Sequence, residues 1–226
     1  MPQHVEARRT AQSKSNPEDR QPLVMIVDDD AAIREALQEL ILSAGMQSAG
    51  FASTQELLES SVLERPGCLI LDVRMPGTSG LELQRQLVES GITKPIIFLT
   101  GHGDIPMTVQ AMKSGAVDFL TKPFRDQTLL DAVCAAIERD AIERARVEAL
   151  KKTIGRLELL TPRERQVLAE VARGRLNKQV AFDLGISEVT VKLHRGNVMR
   201  KMQAGSVGEL IRAWEMLPAN VRGAAS

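Results

Sequence analysis

The sequence predicts an α/β domain with a five-stranded parallel sheet and five helices, followed by a long helix and a basic all-α domain. Over residues 23–125, short apolar runs alternate with stretches of helical periodicity, which is typical of a parallel sheet with crossover helices. The stretch 126–157 follows with no strong helix breaker along most of its length. Residues 1–140 hold 13 Lys and Arg against 20 Asp and Glu, whereas residues 141–226 hold 16 against 9. This change of charge indicates two domains with different partners.

Composition excludes several classes of protein. Hydrophobic residues make up 43% of the 226 residues, enough for packed cores. No apolar run approaches the length of a membrane span, and the first residues contain no apolar signal core, so we expect no membrane or secretory segment. Cys68 and Cys134 lie in an apolar strand and on an apolar helix face, which predicts buried reduced thiols and a cytoplasmic protein. Residues 1–22 are polar and aperiodic, and we expect a disordered tail there.

The α/β domain is predicted element by element from its apolar spacing. The expected strands are 23–27, 46–51, 68–72, 95–100 and 117–121. The expected helices run from about 33 to a stop near Gly45, from Ser53 or Thr54 to about 62, over 79–88, over 105–114, and onward from 126. Strands that alternate with helices in this way form a parallel sheet with right-handed crossovers.

Polar side chains stand where four of the five strands end. Asp28 and Asp29 follow the first strand, Asp72 ends the third, Thr100 ends the fourth, and Lys122 follows the fifth. The carboxyl ends of parallel strands share one edge of the sheet, so we expect these groups to lie close together. Crowded carboxylates repel each other unless a cation joins them, and hard oxygen ligands suit Mg²⁺. An ammonium and a hydroxyl bind phosphoryl oxygens, so the set suits phosphoryl transfer to a carboxylate.

Each of these residues also has an ordinary explanation when it is taken alone. The acidic run could cap a helix, Asp72 and Thr100 could be turn residues, and Lys122 could be a solvated charge. Their coincidence at the matching ends of several strands favours a site.

Four motifs carry a family resemblance: Val-Asp-Asp-Asp, Leu-Asp-Val-Arg-Met-Pro-Gly, Phe-Leu-Thr-Gly-His-Gly and Phe-Leu-Thr-Lys-Pro-Phe. With them, residues 23–125 resemble the receiver domain of two-component response regulators. The resemblance implies a flavodoxin-like fold and phosphorylation of Asp72 by a sensor histidine kinase. It also implies a phosphoacceptor that assists its own phosphotransfer and is not an enzyme.

The same resemblance assigns roles to single residues. The implied Mg²⁺ ligands are the carboxylates of Asp28, Asp29 and Asp72 and the backbone carbonyl of Arg74. Lys122 is expected to pair with the phosphoryl group, and Thr100 and an aromatic residue of the fifth strand are expected to move onto it. In many receivers that aromatic residue is Tyr, but this chain has none, and Phe119 takes its place. A cis peptide bond is implied before Pro123.

The long helix leaves two interpretations open. Its second part has apolar residues three and four apart, namely Val147, Leu150, Ile154 and Leu157. They predict either a linker helix packed on one domain or a short coiled coil between two copies. In the second case the same seam passes through Asp140 and Arg144, which could specify the register.

The basic part begins with a strong helix start. Thr161 is the predicted N-cap, Pro162 the first helical residue, and Glu164 completes a capping box. A helix over about 177–184, a turn with Gly185 and a helix over about 188–202 then follow, which is a helix-turn-helix pattern, and a fourth helix comes after it.

The helix over 188–202 has two distinct faces. At about 100° per residue, its core stripe consists of Val191, Val198 and Met202. The opposite side carries Val189, Lys192, Leu193, Gly196 and Arg200. Cations mixed with small and apolar groups suit a major groove edged by phosphates, although a solvated amphipathic face has a similar composition.

Three further motifs extend the resemblance: Leu-Thr-Pro-Arg-Glu-Arg-Gln-Val-Leu, Asn-Lys-Gln-Val-Ala and Thr-Val-Lys-Leu-His-Arg-Gly-Asn-Val-Met-Arg-Lys-Met. Residues 158–216 thereby resemble the four-helix DNA-binding domain of the LuxR/NarL class, and the whole chain is most similar to the FixJ subfamily. Residues 217–226 are expected to form a C-terminal tail. The resemblance implies that Lys192, Leu193 and Gly196 face bases, although some relatives have a longer side chain where Gly196 stands. It places Asn177, Lys178, Thr190, Arg195, Arg200 and Lys201 at the phosphate backbone.

The primary hypothesis is therefore a bacterial transcription factor switched by phosphorylation. The expected partners are a sensor histidine kinase, double-stranded promoter DNA, RNA polymerase and a second copy of the chain, with Mg²⁺ as the cofactor. Two alternatives stay open. One is a phosphatase related to haloacid dehalogenases, with Asp28 as the nucleophile. The other is a constitutive DNA-binding protein whose receiver is never phosphorylated.

Overall fold

The computed structural model describes residues 21–101 and 105–223. Most of the expected N-terminal tail, 1–22, lies outside these ranges. The chain divides into two compact units, Met1–Ile142 and Glu143–Ser226. Within the described ranges no helix is long and apolar enough to cross a membrane.

The first unit contains the predicted parallel sheet. Its strands are β1 (Leu23–Val27), β2 (Gln47–Phe51), β3 (Gly67–Asp72), β4 (Ile96–Thr100) and β5 (Asp118–Thr121). All neighbouring strands pair in parallel, in the order β2-β1-β3-β4-β5. Every residue of β1 and β3 is buried, because the sheet is covered on both faces. The predicted fold class of this unit is confirmed.

Five helices connect and cover the strands. They are α1 (Ala31–Ser43), α2 (Thr54–Glu59), α3 (Gly80–Glu89), α4 (Ile105–Lys113) and α5 (Asp126–Glu158). The expected helix from Ser53 to about 62 is shorter, because Ser60 is extended and Val62–Glu64 form a separate 3₁₀ turn. The implied cis bond is present between Lys122 and Pro123.

The two cysteines differ in exposure. Both thiols are free, and Cys68 is buried in β3 whereas Cys134 is exposed on α5. Burial raises the pKa of Cys68 to about 12. The prediction that both are buried is wrong for Cys134, because Val133 beside it faces the core and successive helical residues point about 100° apart.

The second unit is a helical domain. Its helices are the end of α5 followed by α6 (Pro162–Ala172), α7 (Asn177–Leu184), α8 (Glu188–Met202), α9 (Val207–Glu215) and α10 (Ala219–Gly223). The predicted capping box of Thr161 and Glu164 is present, and Gly185 ends α7 with a φ of +64°. α10 lies in the stretch expected to be a tail, and Leu217 before it is buried in the core.

Contacts along α5 distinguish the two interpretations of this helix. Leu157 is buried in the core of the second unit, with Leu150 and Ile154 packed against it, as the packed-linker interpretation requires. Asp140 is buried in the first unit, where its Oδ2 accepts a hydrogen bond of 2.8 Å from the backbone N–H of Gly67. The coiled-coil seam predicted to pass through Asp140 is therefore wrong at that position.

Candidate functional site

An acidic cluster lies at the carboxyl end of the sheet. β1 and β4 both pair with β3, so the residues that end these strands are neighbours. The ammonium of Lys122, just after β5, lies 2.7 Å from Oδ2 of Asp28 and 3.1 Å from Oδ1 of Asp72. The structure thus brings together three of the residues that the sequence placed at strand ends.

A backbone N–H group binds the oxygen of each carboxylate that Lys122 does not contact. Oδ2 of Asp72 accepts a hydrogen bond of 3.2 Å from the backbone N–H of Arg74. Oδ1 of Asp28 accepts one of 3.0 Å from the N–H of Asp30, whose own carboxylate caps α1. Each buried carboxylate therefore accepts one hydrogen bond from an ammonium and one from a backbone amide, and these two bonds fix its orientation.

Burial and charge shift the pKa values at this cluster. Asp28 and Asp72 are 2% and 7% exposed. Burial raises the pKa of Asp72, and the nearby charge of Asp28 acts in the same direction, while hydrogen bonding to Lys122 opposes both. Burial alone would lower the pKa of Lys122, but its hydrogen bonds to the two carboxylates outweigh this and raise it. Lys122 is therefore held as a cation.

The remaining predicted residues surround the cluster. Asp29 is exposed beside Asp28, and Thr100 is buried at the end of β4, where its carbonyl accepts a 2.7 Å hydrogen bond from the N–H of Lys122. Phe119 is partly buried and packs against Phe98, with ring centroids 6.1 Å apart and planes tilted by 43°. Residues 102–104, shortly after Thr100, lie outside the described residues.

Two residues that the sequence analysis missed also shape the cluster. Nη1 of Arg34, at the end of the first turn of α1, donates a 2.7 Å hydrogen bond to the carbonyl of Asp28. Gly80 begins α3 so close to β3 that a Cβ atom there would lie 2.4 Å from the carbonyl oxygen of Asp72. In the sequence, Gly80 is marked only by its position after Ser79, which caps the helix. The spacing of Arg34 does not indicate its contact with Asp28.

The chemistry of the cluster fits a hard divalent cation. Carboxylate oxygens are the ligands that Mg²⁺ prefers, and each oxygen of Asp28 and Asp72 accepts a hydrogen bond while having lone pairs for more. Among the described residues no group of three His, Cys, Asp or Glu side chains is already gathered around one point. In this arrangement the Lys122 ammonium supplies the positive charge between the two carboxylates.

A second candidate surface lies on α8. The predicted core stripe of Val191, Val198 and Met202 is confirmed, since all three are buried. The opposite side is exposed over all its predicted members, which are Val189, Lys192, Leu193, Gly196 and Arg200. Val189 and Leu193 are 76% and 64% exposed, so apolar groups lie among the cations on this face.

The residues predicted at a phosphate backbone fall into two groups. Lys178 and Arg200 are exposed cations. The others have intradomain partners: Nη1 of Arg195 donates to Oδ1 of Asn177 at 2.7 Å, Nζ of Lys201 donates to Oε2 of Glu164 at 2.6 Å, and the Thr190 hydroxyl lies 2.8 Å from Oγ of Ser187. These bonds give Lys201 a structural role whether or not it also contacts a ligand.

Two parts of the chain match known families. Residues 24–134 match the response regulator receiver domain, and residues 158–214 match the luxR family of bacterial regulatory proteins. The chain belongs to the response regulators. It is a transcription regulator activated by phosphorylation, and its two domains imply a histidine kinase as one partner and DNA as the other. Receiver domains in general use Mg²⁺ for phosphorylation.

Individual relatives cover nearly the whole of this response regulator. It is 52% identical to Nodulation protein W of Bradyrhizobium diazoefficiens over 86% of each chain. It is 50% identical to the response regulator protein TodT of Pseudomonas putida over 88% of each chain. Among solved structures, that of the response regulator StyR superposes with a TM-score of 0.76 at 47% identity, covering 86% of this chain and 98% of that one.

Proposed function

We propose that Asp72 is the phosphoacceptor of this response regulator. The observation that supports it most directly is the Lys122 ammonium held between Asp28 and Asp72 at the end of the sheet. A carboxylate oxygen of Asp72 attacks the phosphorus of a phosphohistidine on the sensor kinase. A P–O bond forms as the P–N bond breaks, and the leaving nitrogen keeps the electron pair and takes a proton.

The surrounding residues each have a part in this transfer. Asp28, Asp29, Asp72 and the backbone carbonyl of Arg74 would hold Mg²⁺, which would neutralise charge on the phosphoryl oxygens. Lys122 pairs with a phosphoryl oxygen, and the hydroxyl of Thr100 donates a hydrogen bond to another. Phe119 moves with Thr100, and α4 and β5 shift as a result. Phe119 lacks the hydroxyl that a Tyr would add at this position.

The output is DNA binding by the domain over 158–216. Phosphorylation promotes a homodimer, which places two α8 helices in the major groove about one turn apart. Lys192, Leu193 and Gly196 face bases. The residues at the phosphate backbone are Asn177, Lys178, Thr190, Arg195, Arg200 and Lys201. The bound dimer then contacts RNA polymerase and activates transcription.

The test combines a phosphodonor with DNA selection. The full-length protein is treated with a small phosphodonor and Mg²⁺, and duplexes that it retains from random DNA are isolated and used in mobility-shift assays. We expect the donor to increase affinity for these duplexes, and Asp72→Asn to abolish the increase. Asp131→Asn, an exposed aspartate on α5, is the matched control and should respond normally.

Other outcomes identify the alternative functions. A donor response that survives in Asp72→Asn would refute the phosphoacceptor assignment. DNA affinity that ignores the donor in the unaltered chain would indicate a constitutive DNA-binding protein. Multiple-turnover phosphatase activity that needs Asp28 and not Asp72 would indicate an enzyme related to haloacid dehalogenases.

A further inference from the structure

The last turn of α8 ends in a strained residue. Gln203 has a φ of +53°, and within the described ranges no other residue except glycine has a positive φ. This conformation is unfavourable for a residue with a Cβ atom and persists where surrounding contacts hold it. The N–H of Gln203 donates to the carbonyl of Arg200 at 3.2 Å, and the N–H of Ala204 to that of Met199 at 3.0 Å. These bonds close the turn that carries Arg200.

A guanidinium from α5 holds this turn in place. Nη2 of Arg156 donates a 2.6 Å hydrogen bond to Oε1 of Gln203, and Nη1 donates a 3.4 Å bond to the carbonyl of Met202. The planar fork of an arginine fixes the direction of both bonds at once. A cation at the carboxyl end of a helix also interacts favourably with the helix dipole. Arg156 therefore ties the last turn of α8 to α5.

The neighbouring residues of α8 are fixed by other elements. The Lys201 ammonium is bound to Glu164 of α6, and the Met202 side chain is 2% exposed in the core. Arg200 directly before them is exposed. Lys201, Met202 and Gln203 are thus each held by contacts with other elements, and they directly follow the exposed Arg200. The direction in which the Arg200 side chain leaves the helix depends on these contacts.

We propose that Arg156 is a positioning residue for DNA binding, which fixes the last turn of α8 so that Arg200 meets a phosphate of the duplex. This inference rests on the DNA-facing surface of α8 proposed above. Arg156 lies just before residues 158–214, which match the luxR family. A DNA-binding fragment that began at residue 158 would therefore lack Arg156. The functional DNA-binding unit then includes the last turn of α5.

The test is a salt titration of DNA affinity in the full-length protein. A labelled duplex, selected from random DNA as described above, is titrated by fluorescence anisotropy between about 50 and 250 mM salt, where phosphate contacts dominate affinity. We expect Arg156→Ala to weaken binding about tenfold and to reduce the salt slope by about one, and we expect the same of Arg200→Ala. The double variant should bind no more weakly than either single one, because both changes remove the same contact.

Two control variants separate positioning from stability and from direct contact. Arg156→Lys keeps the charge but not the fork, and should bind with intermediate affinity. Leu157→Ala weakens the same core beside Arg156, and should lower the thermal midpoint while leaving the salt slope unchanged below it.

The outcomes that overturn the inference are distinct from those that overturn the proposed function. Additive losses for Arg156→Ala and Arg200→Ala would mean that Arg156 contacts DNA itself. An unchanged affinity in Arg156→Ala, with Arg200→Ala impaired, would also refute the positioning role. If Arg200→Ala and Lys192→Ala both bind normally, it is the proposed DNA-facing surface that fails.

Discussion

Gly80 packs against the backbone of Asp72, at the end of the strand that carries this carboxylate. A Cβ atom at this position would lie 2.4 Å from the Asp72 carbonyl oxygen and 2.9 Å from Cγ of Leu71. Both atoms belong to a fully buried strand, so they cannot shift to accommodate a methyl group. The position of the candidate phosphoacceptor therefore depends on a residue without a side chain.

We expect Gly80→Ala to destabilise the first unit by about 1–3 kcal/mol, the usual cost of overpacking a buried position. Phosphorylation by a phosphodonor should slow as well, because the end of β3 has to move. Urea unfolding followed by circular dichroism measures the first effect. Gly50→Ala is the control, since its nearest neighbour is the flexible end of Gln38, and it should change stability much less.

The buried pair of Glu164 and Lys201 links stability to pH. Burial alone would raise the pKa of Glu164, which is 3% exposed, but hydrogen bonds from Lys201 and Thr161 outweigh it and hold the pKa below the usual 4.5. A carboxylate with a lowered pKa stabilises the fold above its unfolded value, and this contribution is lost as the pH falls through the folded value. The second unit should therefore lose stability as the pH drops below about 4.5.

Variants at this pair give the expected signs. Glu164→Gln should flatten the loss of stability at acid pH, measured by urea unfolding over a pH series. Lys201→Met leaves a buried carboxylate without its cation and should cost roughly 2–3 kcal/mol near neutral pH. Glu215→Gln, at an exposed position of the same unit, serves as the control. A pH profile of Glu164→Gln identical to that of the unaltered chain would contradict the assignment.

At the scale of elements, one hydrogen bond fastens α5 to the start of the strand that ends in Asp72. Asp140 accepts it from the N–H of Gly67, and Asp140 is 3% exposed. We expect Asp140→Ala to destabilise the first unit by about 1–3 kcal/mol, because a buried amide loses its partner. Asp131→Ala on an exposed turn of the same helix should be nearly neutral. Equal effects of the two substitutions would refute the role given to Asp140.

Most elements could be predicted because each buries a face whose spacing the sequence shows. β1 is apolar throughout, β3 is apolar up to Asp72, and α8 buries Val191, Val198 and Met202 on one side. Asp28, Asp72 and Lys122 could be placed together for a related reason, since parallel strands bring their carboxyl ends to one edge. Periodicity and topology together therefore predict the sheet and the centre of the candidate site.

Contacts between distant residues could not be predicted in this way. Gly67 and Asp140 are 73 positions apart, and Arg156 and Gln203 are 47 apart. Such pairs have no local spacing, and each member alone resembles an ordinary turn glycine or a polar surface residue. The short helix α10 could not be predicted for a different reason, since among the described residues from 217 onward two apolar side chains, Leu217 and Val221, pack on the core, too few to show a helical period.

For the whole molecule, charge and cores are divided between the two units. The sheet and its two covering layers belong to the part of the chain that carries the acidic excess, and the helices of the basic part have a core of their own. A ligand that binds one unit should therefore stabilise that unit selectively, by an amount that grows with the logarithm of its concentration relative to its Kd. The chain offers a probe for this, because it has one Trp and no Tyr, and Trp214 packs in the second unit.

Mg²⁺ and DNA should accordingly act on different unfolding transitions. Trp214 fluorescence follows the second unit, and circular dichroism follows both. About 10 mM Mg²⁺ should raise the thermal midpoint of the first unit by a few degrees and leave the Trp214 transition in place, since the acidic cluster lies only in the first unit. A chelator should reverse the shift, and Asp28→Asn should abolish it. Duplex DNA should raise the Trp214 transition instead, by an amount that declines as salt increases. A Mg²⁺ shift of equal size in the Trp214 signal, or one that survives in Asp28→Asn, would place the metal elsewhere than at the end of β1 and β3.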